Sequence, residues 1–251
     1  MSAVVSSDMP IPMADTTSAP PNRLRILTIA TIIMTVLGFV MAMFVARTDV
    51  DQGDVQRIFY FHMPTFFGAL FGFVATVVGG IIYLRTRETR WDTLALAGVE
   101  VGLALGLINL ATGSIWARPI WNTWWTWDPR LTTAAIMCLT YAAYLMLRNG
   151  IENPEKRRTF AAVYGIVAIT TAILTLVIIR IVPNTIHPAV IGPSPQNAEG
   201  AFEFSQNVGM ALGPNFIIWG FFIPLTLIWW RIRLQNRADA VNARKAEALT
   251  E

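Results

Sequence analysis

Six long apolar stretches dominate this sequence and restrict what the chain can fold into. Each is long enough to cross the roughly 30 Å hydrocarbon layer of a bilayer as an α-helix, and within that layer only helices or closed barrels satisfy the backbone hydrogen bonds. The stretches lie at residues 26–46, 65–84, 94–115, 131–147, 160–179 and 212–230. Hydrophobic residues make up 54% of the chain and charged residues only 14%, so we predict an all-α, polytopic membrane protein with six transmembrane helices.

The segments that flank these stretches have a different composition. Residues 1–25 are rich in Pro, Ser, Thr and Met and show no periodic apolar face, which predicts a disordered leader. We therefore divide the chain into this leader, a six-helix membrane domain at 26–235, and a charged tail at 236–251. The single cysteine excludes a disulfide framework and a four-cysteine zinc site. The basic excess is small, so nucleic-acid binding is not indicated.

The positions of the basic residues predict the orientation in the membrane. Of the 19 Lys and Arg residues, 14 lie before the first stretch or just after the second, fourth and sixth. Because loops rich in Lys and Arg stay in the cytoplasm, both termini are expected there. The loops at 47–64, 116–130 and 180–211 are then expected to face outward.

The chain contains two histidines, His62 and His187, and both lie in predicted outward loops close to the end of a stretch. Neutral imidazole is the commonest side-chain metal ligand, and a haem iron accepts one axial ligand from each face. Two ligands from separate helix ends could hold one porphyrin between them. Alternatively, each histidine is an interfacial residue bonded to a backbone carbonyl, and the sequence leaves both interpretations open.

Five of the nine tryptophans fall within residues 116–130. If residues 120–127 form a helix in the membrane interface, Trp121, Trp124 and Trp125 share one face and offer a flat apolar platform on which a porphyrin could stack. An anchor helix without a ligand would have the same pattern. The pair Asp128-Pro129 predicts the N-cap and first residue of the fourth helix.

Three arginines in the predicted outward loops, Arg57, Arg118 and Arg130, lie near these two groups of residues. Guanidinium groups bind carboxylates through paired hydrogen bonds, so these arginines are candidates for contact with haem propionates. Contact with lipid phosphates is an equally good interpretation of each.

Other notable residues have structural explanations that compete with functional ones. Glu100 lies within the third stretch, where an ionisable group is costly and indicates either a function or a polar partner. Small residues at four-residue intervals predict helix-packing faces; they are Gly68 and Gly72 in the second stretch, and Gly98, Gly102 and Gly106 in the third. Cys138 is interpreted as an inert packing thiol.

Two segments resemble a known family. Residues 121–132 read WNTWWTWDPRLT and resemble the tryptophan-rich WWD signature of haem-handling proteins. Residues 52–64 read QGDVQRIFYFHMP and resemble the first-histidine region of the haem exporter protein C family, also called cytochrome c maturation protein C. The likeness extends from about residue 24 to residue 235. Asn122 stands where the family pattern usually has Gly.

The resemblance implies a site and a role. It implies that His62 and His187 are the axial ligands of a non-covalently bound haem b at the outer face of a bacterial inner membrane. The platform beneath the haem is implied to be Trp121, Trp124, Trp125, Trp127 and Asp128. Haem is then passed to a membrane-tethered haem chaperone, with ABC transporter subunits and a small single-span accessory subunit acting alongside.

Other functions fit the sequence less well than this role. The sequence shows no nucleophile–base pair and no hydrolytic metal cluster, so we do not expect an enzyme. A cytochrome c synthase-like haem lyase, or another membrane haem transporter, is the nearest alternative, although the larger relatives carry extra histidines that this chain lacks. An electron-transferring cytochrome b commonly needs four histidines. A small-molecule transporter or a scaffold would show no spectral change when both histidines are replaced.

Overall fold

The computed structural model describes residues 19–49, 52–182, 185–187 and 206–249, and it confirms the six predicted spans. The first span consists of α1 (Asn22–Val40) and a π-helical turn (Met41–Val45). The next four are α2 (Phe59–Thr86), which follows a 3-10 turn (Asp54–Ile58), α3 (Thr89–Trp121), α4 (Pro129–Gly150) and α5 (Pro154–Ile181). The sixth combines α6 (Gln206–Ile217), a second π-helical turn (Ile218–Phe222) and α7 (Ile223–Ala248). All regular structure in the described residues is helical.

The helices extend beyond the apolar stretches that predicted them. α1 begins at Asn22, immediately after Pro21, so the predicted leader at 1–25 is too long at its C-terminal end, and its residues 1–18 lie outside the described part of the chain. The hydropathy pattern marks only the part that crosses hydrocarbon, whereas Arg, Lys, Ala and Glu are good helix formers in water. For the same reason the charged tail predicted from residue 236 continues α7 as a helix to Ala248.

The spans run alternately up and down, so α1, α3 and α5 end where α2 and α4 begin. His62 in α2 and His187 after α5 both lie at this end of the bundle, which we call the histidine end. α2 is the central helix, because it packs against α3, α5 and all three helical segments of the sixth span. The loop containing His62 was expected to reach residue 64, but α2 already begins at Phe59.

Close backbone contact between α2 and α3 depends on glycine. A Cβ atom on Gly72 would lie 2.6 Å from the carbonyl oxygen of Gly98, and one on Gly98 would lie 2.5 Å from the carbonyl oxygen of Gly72. Gly68 approaches the backbone of the sixth span, and Gly106 faces Cys138 of α4. The predicted helix-packing faces are therefore confirmed, and Cys138 is a buried thiol within the apolar core.

Ion pairs join the helices toward the end opposite the histidines. Arg148 of α4 donates two hydrogen bonds to Asp92 of α3, at 2.6 and 2.8 Å, and both side chains are buried. Glu100 accepts a hydrogen bond of 3.0 Å from Nη2 of Arg231 in α7, and it also pairs with Nε of the same guanidinium. The interpretation of Glu100 as a residue with a polar partner is confirmed.

The sixth span is irregular where it crosses the bundle. Its π-helical turn (Ile218–Phe222) lies between Pro214 and Pro224, and each proline lacks the N–H that a regular helix requires. Within α6, Asn215 is fully buried and donates hydrogen bonds to the carbonyls of Gly38 and Ala211, at 3.1 and 2.9 Å. This amide fixes α6 against α1.

We predict that Gly72→Ala lowers the free energy of unfolding by about 1–3 kcal/mol, the usual cost of overpacking a close contact. The reason is that the added methyl group would separate α2 from α3. The control is Gly213→Ala, an exposed α6 position at which an added Cβ meets no atom within 4 Å. Thermal unfolding of the purified protein in detergent measures both. Equal melting temperatures for the two variants would contradict the assigned role of the glycine contact.

Candidate functional site

A cavity of about 650 Å³ lies at the histidine end, within the range of about 300–1,000 Å³ typical of small-molecule sites. Its walls come from α2, α3, α4 and α5, with three residues from the loop and 3-10 turn before α2, one from α6 and two from the segment after α5. Both histidines line it, as do aromatic rings and two arginines; the residues used below are His62, His187, Trp116, Trp121, Trp125, Arg130 and Arg180. The structure therefore brings the two predicted ligands to one cavity.

His62 lies in the first turns of α2 and is oriented by α3. Its Nδ1 is 3.0 Å from the carbonyl oxygen of Asn109 and 3.2 Å from the hydroxyl of Thr112. The Asn109 amide in turn donates to the carbonyl of His62, at 2.6 Å. An Nδ1–H that donates to a carbonyl leaves Nε2 with its lone pair, which is the tautomer that binds metals. The carbonyl-bonded interpretation and the ligand interpretation of this histidine are thus compatible.

Close packing further restricts the His62 ring. A Cβ atom on Gly113 of α3 would lie 2.9 Å from Cε1 of the imidazole, so glycine is needed for the ring to lie this close to α3. On the cavity side, the Trp116 ring meets the imidazole edge-on, with centroids 5.8 Å apart. The Trp116 indole N–H donates to Gln52, at 3.1 Å, which fixes the ring in turn.

His187 lies just after α5, in the described segment 185–187. Its Nδ1 is 3.2 Å from Oδ1 of Asp128, and its ring meets Trp121 edge-on, with centroids 5.3 Å apart. A carboxylate that accepts the Nδ1–H of a histidine is the usual partner of a metal-bound imidazole, since it fixes the tautomer and strengthens Nε2 as a ligand.

Asp128 connects the start of α4 to the segment that carries His187. Its Oδ1 accepts from the backbone N–H of Arg130 at 2.9 Å, so the predicted N-cap role is confirmed. Its Oδ2 accepts from the N–H of Ile186 at 2.9 Å and from the hydroxyl of Thr185. Burial raises the pKa of the Asp128 carboxyl, but the hydrogen bonds from His187, Thr185 and Ile186 lower it more, and the net pKa is well below its ordinary value.

The tryptophan-rich segment does not form the predicted helix at 120–127. Helix α3 instead continues to Trp121 and ends at Asn122, which has the left-handed conformation (φ 53°, ψ 28°). Beyond it, the Thr123 hydroxyl accepts from the N–H of Trp125 at 3.4 Å, a local bond that competes with helix formation. Asparagine is one of the few residues besides glycine that adopts this conformation readily, so the turn is retained where the family pattern has Gly.

The loss of this helix separates the tryptophans that were expected to share a face. Trp121 and Trp125 line the cavity, whereas Trp124 and Trp127 are not among its lining residues and are 58% and 77% exposed. The Trp127 ring meets Trp125 edge-on, with centroids 5.7 Å apart. Only two rings of the predicted platform therefore face the cavity, and Trp127 supports one of them from outside.

The three arginines predicted near the site have different positions. Arg130 lines the cavity. Arg57 donates to the carbonyls of Ala42 and Met43 at the end of the first span and pairs with Asp54 at 3.0 Å. Arg118 donates to the carbonyl of Asn122, at 2.8 Å. Arg57 and Arg118 thus stabilise helix ends and are not among the lining residues.

Four residues of the site were not predicted from the sequence: Asn109, Thr112, Gly113 and Arg180. Asn109 and Thr112 lie one turn apart within the third apolar stretch, and two polar residues at that spacing are a usable sign of a polar contact inside a bundle. Arg180 lies in the last turn of α5, seven residues before His187. In the sequence, a basic residue at the end of an apolar stretch is the feature that could have identified it.

Fold and site together define the class: a six-span membrane protein with a cavity lined by aromatic rings and by two histidines, each of which has Nδ1 within hydrogen-bond distance of an acceptor. Comparison of the sequence with known families identifies this class more closely. The family model described as heme exporter protein C matches residues 14–189, and the chain belongs to that family.

Individual relatives agree with this assignment. The chain is 29% identical to heme exporter protein C of Paracoccus denitrificans over 203 residues, which cover 81% of this chain and 83% of that protein. It is 33% identical to heme exporter protein C of Rhodobacter capsulatus over 58% of this chain and 60% of that protein. It is also 26% identical, over 78% of this chain and 80% of the relative, to a putative cytochrome c biosynthesis ccmC-like mitochondrial protein of Marchantia polymorpha.

We predict that Asp128→Ala weakens haem binding by about 10- to 100-fold, the usual effect of removing the acceptor that orients a metal-bound histidine. The matched control is Asn153→Ala, which removes the side-chain N-cap of α5, where Asn153 accepts from Lys156 N–H at 3.0 Å. Each variant loses a cap worth about 1 kcal/mol, but only the first frees His187. Titration with haem, followed by absorbance, compares them. Equal affinities in the two variants would show that Asp128 acts only as a cap.

Proposed function

We propose that this protein binds haem b non-covalently between His62 and His187 and delivers it to a membrane-tethered haem chaperone during the maturation of c-type cytochromes. The observation that supports this most strongly is the pair of imidazoles lining one cavity, each with Nδ1 bonded to an acceptor. Membership of the heme exporter protein C family supports a role in haem handling independently of that geometry.

The chemistry of the donor set suits haem iron as a cargo. Both histidines keep Nε2 for coordination, and they belong to different elements, α2 and the segment after α5. Ligation by two imidazoles fills both axial positions of the iron, so oxygen is excluded while both remain bound. Around them, Trp121, Trp125 and Trp116 supply the aromatic wall that a porphyrin ring needs.

We propose that the remaining residues of the predicted platform do not contact the haem ring themselves. Asp128 orients His187, and Trp127 supports Trp125 from outside. Trp124 exposes most of its ring, which suits contact with the receiving protein or the bilayer surface. Of the three arginines first considered, we assign a propionate contact to Arg130 alone, because Arg57 and Arg118 bind helix-end carbonyls.

We propose the orientation in the membrane from the distribution of the basic residues, and the partner proteins from membership of the family. Under the positive-inside rule, the histidine end faces outward from a bacterial inner membrane and both termini lie in the cytoplasm. ABC transporter subunits and a small single-span accessory subunit are the proposed partners in addition to the chaperone. The side chains contribute binding and orientation, and any covalent step draws on the vinyl chemistry of the haem itself.

We predict that His62→Gly and His187→Gly each lower the haem absorbance of the purified protein, because each variant loses one axial ligand. Added imidazole should restore the bis-imidazole spectrum by occupying the space that the side chain vacated, which separates lost ligation from misfolding. Haem transfer to the purified chaperone is measured in parallel. Full haem content and full transfer in both single variants would refute the axial assignment.

We predict that Trp125→Ala reduces haem retention during purification several-fold more than Trp124→Ala. The two residues are neighbours in one loop, but only Trp125 lines the cavity, whereas the Trp124 ring is 58% exposed. Burial of an aromatic face against the porphyrin is lost in the first variant alone. The haem-to-protein ratio, from absorbance, measures retention. Similar losses in the two variants would mean that the segment acts as a membrane anchor.

A further inference from the structure

The Trp116 ring in the cavity wall is held by a residue from outside its own helix. Its indole N–H donates to Oε1 of Gln52 at 3.1 Å; Gln52 lies before the 3-10 turn that leads into α2, whereas Trp116 belongs to α3. Both side chains line the cavity. We propose that Gln52 is a positioning residue for haem ligation: it fixes Trp116, and Trp116 in turn fixes the plane of the His62 imidazole. The inference rests on the proposed function and adds a residue that does not itself bind the iron.

The backbone around Gln52 is held by local hydrogen bonds. The Gln52 N–H donates to Oδ1 of Asp49 at 2.8 Å, and the Gly53 N–H donates to the carbonyl of Asp49 at 3.1 Å. Gly53 has φ 62° and ψ −147°, a conformation that is essentially restricted to glycine. A Cβ atom on Gly53 would meet no atom within 4 Å, so the backbone conformation, and not a lack of space, requires glycine there. The Gln52 side chain therefore starts from a backbone whose position is well defined.

Two aromatic rings and one hydrogen bond hold Trp116. The Phe59 ring lies against it with centroids 5.7 Å apart, and the His62 ring with centroids 5.8 Å apart. Because an indole has a single N–H donor, the bond to Gln52 selects one orientation of the ring among those that these contacts allow. If the acceptor is removed, the half-buried N–H is left unsatisfied, which is costly, and the ring is expected to turn toward another partner.

The plane of the His62 ring depends on this neighbour. Its Nδ1 lies 3.0 Å from the Asn109 carbonyl oxygen, but hydrogen bonds to a carbonyl oxygen tolerate a broad range of directions, so this bond fixes the Nδ1 atom better than the plane of the ring. Gly113 limits the ring at Cε1, and Trp116 limits it on the cavity side. Loss of the bond between Gln52 and Trp116 is therefore expected to widen the range of imidazole planes without removing the ligand.

The experiment measures the largest g value of ferric haem bound to the purified full-length protein, by electron paramagnetic resonance, because this value depends on the angle between the two axial imidazole planes. Gln52→Met keeps the length of the side chain but removes the amide oxygen. It should shift or broaden the signal and weaken haem binding by less than the about 10- to 100-fold expected for Asp128→Ala. Gln52→Glu retains an oxygen acceptor and should restore the wild-type g value. Gly53→Ala disfavours the backbone conformation beside Gln52 and should change the signal as Gln52→Met does.

A double-mutant cycle separates action through Trp116 from direct contact of Gln52 with the haem. In a Trp116→Phe background, which lacks the indole N–H, Gln52→Met should cause no further change in the g value or in haem affinity, because residues that act through one contact are not additive. Additive effects of the two substitutions would overturn the inference, since they would show that Gln52 acts on the haem independently of Trp116.

The matched control is Thr28→Val, which removes the acceptor of another indole N–H, that of Trp230, at 2.8 Å and at the opposite end of the bundle. It should leave the g value and the haem affinity unchanged. A wild-type spectrum in both Gln52→Met and Gly53→Ala would overturn the inference, as would an equal change in Thr28→Val. In either case a bis-imidazole spectrum of the wild type would leave the proposed function intact, whereas its absence from the wild type would refute that function and the inference with it.

Discussion

The carboxylate of Asp128 is the contact on which the geometry of the site depends. It ends the tryptophan-rich segment, caps α4, and accepts hydrogen bonds from three successive residues, Thr185 to His187. One side chain thus fixes the position of a segment that belongs to no helix relative to the helix that contributes Arg130. An ionised carboxylate can accept all of these bonds at once, which an amide or a hydroxyl at this position could not do. The tryptophan-rich segment therefore contains a residue that orients His187.

His62 is held by a different means. It lies within α2, which is packed against α3 through glycine, and its imidazole is bonded to the Asn109 carbonyl and packed on Gly113. Because His62 lies within a helix, its backbone cannot move without breaking hydrogen bonds of regular secondary structure. His187 depends on Asp128 and on contact with the Trp121 ring. The cavity thus combines one histidine fixed by the bundle with one histidine fixed by a carboxylate.

Sequence reasoning succeeded where one local pattern determines the structure. Apolar length predicted the six spans, glycine spacing predicted the contact of α2 with α3, and Asp128-Pro129 predicted the start of α4. It failed at residues 120–127, because a helical spacing of tryptophans says nothing about the left-handed turn at Asn122 that ends α3. Contacts of Asn109 with His62, and of Arg180 with the cavity, depend on which helices are neighbours, and periodicity does not encode this.

The glycine contact between α2 and α3 also divides the walls of the cavity into two kinds. Gly72 and Gly98 bring the two backbones into direct contact, and the same two helices present His62 and Trp116 to the cavity. The opposite wall lies where α4, α5 and the segment bearing His187 meet. A molecule in this cavity would therefore contact one wall built from two closely packed helices and a second wall that includes a segment outside any helix.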